Sequence, residues 1–530
     1  MVATAIQFYC NTMKKIQLII LLLACLPAWA QSDHKRDGKW IFGYSIDDSA
    51  SVSGNMLMDF SGDTMQISTL YTDMEYYETN ASACDTAGNL LFYTNGIHIR
   101  DQSHQIMAGW DTLNPGLTAD MWFNGGYRPP QGALILPKPG SDSLYYLFHT
   151  SFGLYDQFEI VVRGNYLYYT LIDMSRNNGL GEIIDLNHVL VDDFLDYGKV
   201  NACRHANGRD WWVLMSKFDS PDYYVFLLDP QGVHDMGMTG GATTIRKGLG
   251  QSVFSPDGSK YVAFHGHSFV DGSFLYVYDF DRCAGTLQEI AHDNIIDTAY
   301  CMGAAISPNS RYLYLPSGRY LYQYDLDAAD IAATRTTVAV WDGFMDMGVL
   351  ATTFYLAQLA PDGKIYIGSN NGVRYLHVIE QPDSAGLACS VAQHGLQLPH
   401  FNAFTMPHFP HFRLGALPNS PCDTLPDVGV GLLPPPARPP AALSALVPLR
   451  ASPNPAHDVV HLSFGSALRR GGALRVYDLW GRQVQALPLS AAAVGCSVDV
   501  RTWAAGTYVA VVYDAATHSQ STARVVVAPR

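Results

Sequence analysis

The histidines are the first residues whose spacing could do chemistry. His265 and His267 flank Gly266, a spacing open to a metal pair, and His400, His408 and His411 form a second group among Pro and Phe. Both groups read as packing histidines: a strand end with hydrogen-bonded imidazoles, and a buried closing strand. Gly266-His267-Ser268-Phe269-Val270 begins like a nucleophile elbow, but it lacks the last Gly and sits between two strands rather than before a helix. No His-Glu-x-x-His, EF-hand loop or Ser-x-Asp-x-Gly-x-x-Trp box occurs. Asp47-Asp48 and Asp192-Asp193 read as solvated turns. A carboxylate pair for glycoside hydrolysis would come from distant segments and leave no local motif. The reading therefore assigns no catalytic residue, metal or cofactor.

The elements that must position any site are short strands in a repeat. Ser255-Pro256-Asp257-Gly258 precedes Lys260-Tyr261-Val262-Ala263-Phe264, Ser307-Pro308-Asn309-Ser310 precedes Arg311-Tyr312-Leu313-Tyr314-Leu315, and Ala360-Pro361-Asp362-Gly363 precedes Lys364-Ile365-Tyr366-Ile367. Pro fixes one turn φ, Asp bonds its own backbone and Gly accepts positive φ. Weaker copies turn near Gly88, Gly140 and Gly208. The turns at 88, 140, 208, 258, 310 and 363 are 52, 68, 50, 52 and 53 residues apart. That period, built of strands and turns, predicts β-propeller blades. Six blades are visible. A seventh is expected from Trp40–Gly43 and Leu57–Phe60 pairing with a C-terminal strand near 401–412, which would remove the open sheet edges.

In such a scaffold, loops between blades and loops after the second strand emerge on one face. The largest fall at 110–130, and at 150–165 inside the 68-residue step. Loops decorated with aromatics on a rigid frame are where binding concentrates. Trp122, Tyr127, Arg128, His149, Lys217, His267, Arg319 and Arg374 are accordingly expected around one mouth.

Composition narrows the partners. Charged residues are 15%, apolar residues 48%, Tyr number 31 and the net charge is −15, which excludes nucleic acid as a partner. Residues 13–30 read as a secretory signal peptide: Met13-Lys14-Lys15, a short apolar run and Ala28-Trp29-Ala30. No stretch is expected to span a membrane. Export predicts disulfides, and Cys283 with Cys301, bracketing an outer strand and its return, are the expected pair.

The Ser-Pro-Asp-Gly turns resemble those of WD-like and TolB-like exported propellers, and the segments 90–96, 131–140, 205–212 and 358–369 resemble a propeller family of exported Bacteroidetes proteins. Residues 418–450 form a Pro-rich linker containing Pro434-Pro435-Pro436. Beyond it, Ser452-Pro453-Asn454-Pro455, Val476-Tyr477-Asp478-Leu479-Trp480-Gly481-Arg482 and Ala505-Gly506-Thr507-Tyr508 follow in order. Their spacing predicts a small Ig-like sandwich. The motifs resemble the type A C-terminal sorting domain of the type IX secretion system, although Trp503-Ala504 replaces the usual pair before Ala-Gly-Thr-Tyr. The resemblance implies periplasmic transit, a cleaved tail, and release or anchoring at the surface. The expected organisation is an all-β chain: leader at 13–30, seven-bladed propeller at 38–417, linker at 418–450 and sorting domain at 451–530. The expected function is a surface or extracellular binding module for a glycan or protein. The alternatives are a polysaccharide hydrolase or lyase, and a structural component of a surface layer or adhesion apparatus.

Overall fold

The computed structural model describes residues 35–44, 54–155, 161–241, 243, 248–268, 272–297, 303–422, 449–464, 467–468, 472–478, 483–514 and 520–528. The signal peptide and most of the linker lie outside them. The chain divides into two compact units, 1–427 and 428–530. Among the described residues, no helix is long and apolar enough to cross a membrane.

Among the described residues, the first unit contains seven antiparallel sheets of three or four strands and one two-stranded ribbon. In each of the first seven, strands adjacent in sequence are adjacent in space. The first sheet is Lys39–Tyr44, Gly54–Asp59 and Gln66–Leu70, and the second is Ala81–Cys84, Leu90–Thr94 and Ile99–Asp101. The third is Ala133–Pro137, Leu144–Tyr155, Val161–Asp173 and Glu182–Leu195; the fourth is Asn201–Arg204, Trp211–Ser216, Asp222–Asp229 and Gly232–Gly240. Ser252–Phe254, Lys260–Ser268, Gly272–Asp281 and Thr286–Ile295 make the fifth. Ala305–Ile306, Tyr312–Ser317, Tyr320–Asp325 and Thr336–Val340 make the sixth. The last is Ala357–Leu359, Ile365–Ile367, Gly372–Ile379 and Val391–Ala403.

Strand periodicity explains how these sheets stack. Successive side chains point to opposite faces, so Trp211 and Val213 meet Leu134, Leu136 and Phe148 of the third sheet, while Trp212 and Leu214 meet Tyr261 and Tyr278 of the fifth. Both faces are seams, which is why Trp211–Ser216 is buried throughout instead of alternating. Val262, Phe264 and Val277 pack on Leu313, Leu315 and Tyr324, and Tyr314 and Leu321 pack on Ile365, Ile367 and Ile379. Tyr366, Leu376 and Val378 of the last sheet then share a core with Trp40, Phe42 and Met58 of the first. Ile41 meets Tyr93, and Phe92 meets Tyr145, completing the circuit of a β-propeller.

Closure differs from the expected strand pairing. The last ladder ends at Ala403 and belongs to the seventh sheet, while the N-terminal strands form a sheet of their own. Residues 404–417 make no strand because Pro407 and Pro410 have no N–H to give a ladder. They run along the axis instead and plug it. His408 N donates to Asn80 O at 3.0 Å, and its Nε2–H donates to Val200 O at 2.8 Å. His411 Nε2–H donates to Phe254 O at 2.9 Å. Phe409 stacks on Trp40 and Phe412 meets Trp211 edge-on, so these contacts of one segment reach four sheets or their leads. Amides tie the inner strands around it. Gln131 exchanges two 2.8 Å bonds with the Ser252 backbone, and Gln251 Oε1 accepts from Ala304 N and Ala357 N. The space left beside the plug is about 20 Å³, the scale of one or two waters.

At the exit, Arg282 Nη2 donates to Gly415 O, Arg413 pairs with Asp37 at 2.7 Å, and Leu417 N donates to Ala206 O. Cys283 is bonded to Cys422, with Cα atoms 5.7 Å apart, and not to Cys301 as expected; Cys301 lies outside the described residues. The plug carries Cys422 back beneath the fifth sheet, which a strand-and-return reading could not foresee. Segment 150–165 is also corrected. Most of it is strand, because Leu144–Tyr155 and Val161–Asp173 form one long hairpin rather than a loop.

The second unit is a sandwich of two sheets, one from Arg450–Ser452, Val459–Ser463 and Gly495–Asp499, the other from Gly472–Asp478, Gln483–Leu489, Gly506–Asp514 and Gln520–Val527. Val460, Leu462, Leu474, Val476, Val498, Ala510 and Val525 fill its core. Its motifs do structural work. Asn454 exchanges side-chain bonds with Arg524 O and Val526 N, both at 2.7 Å, and Tyr508 OH donates to Ala504 O. The turn at Gly481-Arg482 lies outside the described residues.

Candidate functional site

The Pro-Asp-Gly turns end the inner strands, so the connections between sheets all reach the axis at the opposite end. There they place Tyr77-Glu78, Tyr127-Arg128, Tyr197, Phe354-Tyr355 and Phe404 around one mouth, above the plug. Gly126, at φ 79°, lets the 110–132 loop approach; a Cβ there would lie 2.8 Å from Glu75 O. Glu78 N and Thr79 N then both donate to Tyr127 O.

Three of these side chains interlock with Trp122. The Arg128 guanidinium lies 4.6 Å from the ring centroids of both Tyr77 and Trp122. Arg128 Nη2 donates to Tyr77 OH at 3.1 Å, and Tyr77 stacks on Phe404 at 5.0 Å. Tyr77, Trp122, Arg128 and Phe404 are each half-buried. Phe123 continues the track outward, 4.7 Å from His98, which in turn lies 5.1 Å from Trp110. Beneath the aromatics, Tyr355 OH donates to Glu78 Oε1. Burial pushes the Glu78 carboxyl up to about 7, against the opposing pull of Tyr355 and Arg128. A carboxyl poised there can hold or release a proton near neutrality.

A second buried group lies nearby in the lead to the fourth sheet. Asp196 accepts from Lys199 at 3.0 Å and lies 3.1 Å from His265 Nδ1. Burial alone would raise the Asp196 carboxyl, but Lys199 and the hydrogen-bonded His265 ring outweigh it and hold it well below the usual range. Lys199 Nζ also donates to Gly248 O, so this group braces the connection.

Of the eight residues expected at the mouth, Trp122 and Arg128 come together there, with Tyr127 buried beneath, its hydroxyl bonded to Thr118 and Phe152 N. His149 is fully buried inside the third sheet, between Asn114 and Thr170, and burial pushes its imidazole down to about 3. That environment suits a neutral structural histidine. Lys217 and Arg374 stand at the ends of other sheets, paired with Asp193 and Asp346. The Arg319 guanidinium lies 6.0 Å from the Trp341 ring. His267 lies in the strand Lys260–Ser268, and its side chain is outside the described set. Tyr77, Glu78, Tyr197, Tyr355 and Phe404 were not foreseen. Their signal is positional: each stands a few residues before an inner strand or just after the last strand. Among the described residues, no three His, Cys, Asp or Glu side chains could hold a metal ion together.

Residues 451–528 match the family model described as a secretion system C-terminal sorting domain. No curated protein matches the chain. Similar solved structures include a protein from Lactobacillus plantarum (12% identity, 69% of this chain and 98% of that one, TM-score 0.39). Others are the periplasmic gluconolactonase of Pseudomonas aeruginosa (10%, 68% and 98%, 0.36) and an exo-β-1,3-galactanase from Phanerochaete chrysosporium (7%, 75% and 95%, 0.27). The β-propeller is therefore followed by a type IX sorting domain, which directs the chain to the cell surface or the extracellular space.

Proposed function

We propose that residues 38–417 form a seven-bladed binding module that presents its mouth to an extracellular glycan or protein. In this reading residues 418–450 are the linker and 451–530 the tag that the secretion machinery recognises. The observation that carries it is the pairing of a plugged axis with a half-exposed aromatic cluster directly above it. Residues 408–411 fill the axis and leave beside them a pocket of about 20 Å³, too small for a sugar or peptide, so this reading places the ligand at the mouth. The test is binding of the full chain to a glycan and polysaccharide array, repeated with Trp122→Ala. Loss of signal in the variant supports the reading; equal signal on both sinks it.

One observation favours a second reading, a polysaccharide hydrolase or lyase. Glu78 keeps its proton up to about 7 beside Tyr355 and Arg128, a state suited to general acid work. Product release from the same array, abolished by Glu78→Gln, would decide for the enzyme.

A further inference from the structure

Arginines elsewhere in the first unit show what a neutralised guanidinium looks like: Arg311, Arg335, Arg374 and Arg413 each hold an aspartate at 2.6–3.0 Å. Arg128 has no such partner among the described residues. Its Nη2 donates to Tyr77 OH at 3.1 Å, and its buried Nε bonds to no described group. Glu78, whose carboxyl feels the Arg128 charge, is kept protonated toward neutrality by burial. The guanidinium is half-exposed at the mouth, 4.6 Å from the ring centroids of Tyr77 and Trp122, which fix it without neutralising it. A cation held in place this way gives up little side-chain freedom when it pairs. The chain's net charge of −15 is screened over about 10 Å at about 0.1 M salt, so the local charge decides what binds.

We propose, resting on the binding reading above, that Arg128 anchors the carboxylate of an acidic saccharide whose ring lies on the exposed parts of Trp122 and Phe123. Phe123 is 37% exposed and Trp122 half-buried, so apolar ring surface stands open beside the cation. A uronate carries its carboxylate directly on a ring whose C–H groups suit a negative π face, so one rigid unit meets both features. A peptide carboxylate sits on a flexible stem and must give up more rotamer freedom to do the same.

Native affinity electrophoresis of the full chain tests this. Gels are cast with polygalacturonate or alginate, with their esters (methyl-esterified pectin, propylene glycol alginate), and with laminarin or polyglutamate. The expected result is retardation by at least one acidic polysaccharide, lost in its ester and absent with laminarin and polyglutamate. Arg128→Gln should weaken that retardation about tenfold or more, the scale of a lost charge-assisted bond. The esters test the carboxylate on the unmutated chain, so the result stands even where Arg128→Gln melts early. Equal retardation by acid and ester, or by laminarin, overturns the carboxylate anchor and leaves a glycan site. Acidic retardation that survives Arg128→Gln overturns the placement. Retardation by polyglutamate alone assigns an acidic peptide instead, and no retardation in any gel overturns the glycan reading with it.

Discussion

At the mouth, Glu78 is buried under aromatics with Tyr355 as its hydrogen-bond donor, whereas farther down the axis the buried His408 and the half-buried His411 sit among backbone carbonyls. Burial penalises the charged form in both places. For Glu78 the neutral form is the protonated one, so its pKa climbs to about 7; for the two histidines it is the deprotonated one, and theirs fall to about 4. His408 shows how a structural group settles: Nε2 donates to Val200 O while Nδ1 accepts from Gln131 Nε2 at 3.2 Å. Both ring nitrogens are used, and a second proton would have no acceptor. Glu78 instead sits where proton uptake and loss fall near working pH. The contrast teaches that burial favours whichever form is neutral, and that the type of group decides whether the shifted pKa moves toward working pH or away from it.

The largest expected effect separates the plug from the tail. Truncation after Ala403 removes Phe409 and Phe412 from the core, each worth about 3–5 kcal/mol, and should abolish cooperative thermal unfolding. Truncation after Arg450 should leave the melting transition of the first unit unchanged and hold the protein in the periplasm; surface delivery equal to the full chain would contradict the sorting role. Cys422→Ser should lower stability by about 2–4 kcal/mol, measured by denaturant melts under oxidising conditions, with reductant having no further effect on the variant.

Smaller effects come from titration, with opposite signs. Glu78 binds its proton more tightly folded than unfolded, so it costs stability as pH rises from about 4.5 to about 7, by up to about 3 kcal/mol. Glu78→Gln should flatten that segment of the stability–pH curve and raise stability at pH 8. The histidines bind protons less tightly folded, so their contribution is present above pH about 6.5 and lost as pH falls toward about 4. His408→Gln, with an amide in place of the imidazole, should remove part of that acid loss.

Much of the scaffold was legible because its signals are local. A Ser-Pro-Asp-Gly turn encodes its own geometry: Asp257 Oδ1 accepts from Ser255 and Ser259, and Gly258 has φ 73°. The Asn454 and Tyr508 bonds of the second unit are likewise written in short motifs. Glu78 was illegible because its burial comes from connections converging from sheets far apart in sequence; Tyr355 is 277 residues away. The plug was missed for a related reason. Alternating Phe, His and Pro over 404–412 has strand-like patterning, but the two prolines deny it a ladder, and an axial position satisfies its carbonyls and imidazoles instead.

The most direct test of the central claim compares the two ends of the axis on one polysaccharide array. Arg311, beside the Ser-Pro-Asn-Ser turn at the far end, is exposed and paired with Asp325, so Arg311→Ala alters that face without touching the core. Binding lost in Trp122→Ala and retained in Arg311→Ala is the predicted result. Binding lost in Arg311→Ala and retained in Trp122→Ala would place the site on the turn face and contradict the account.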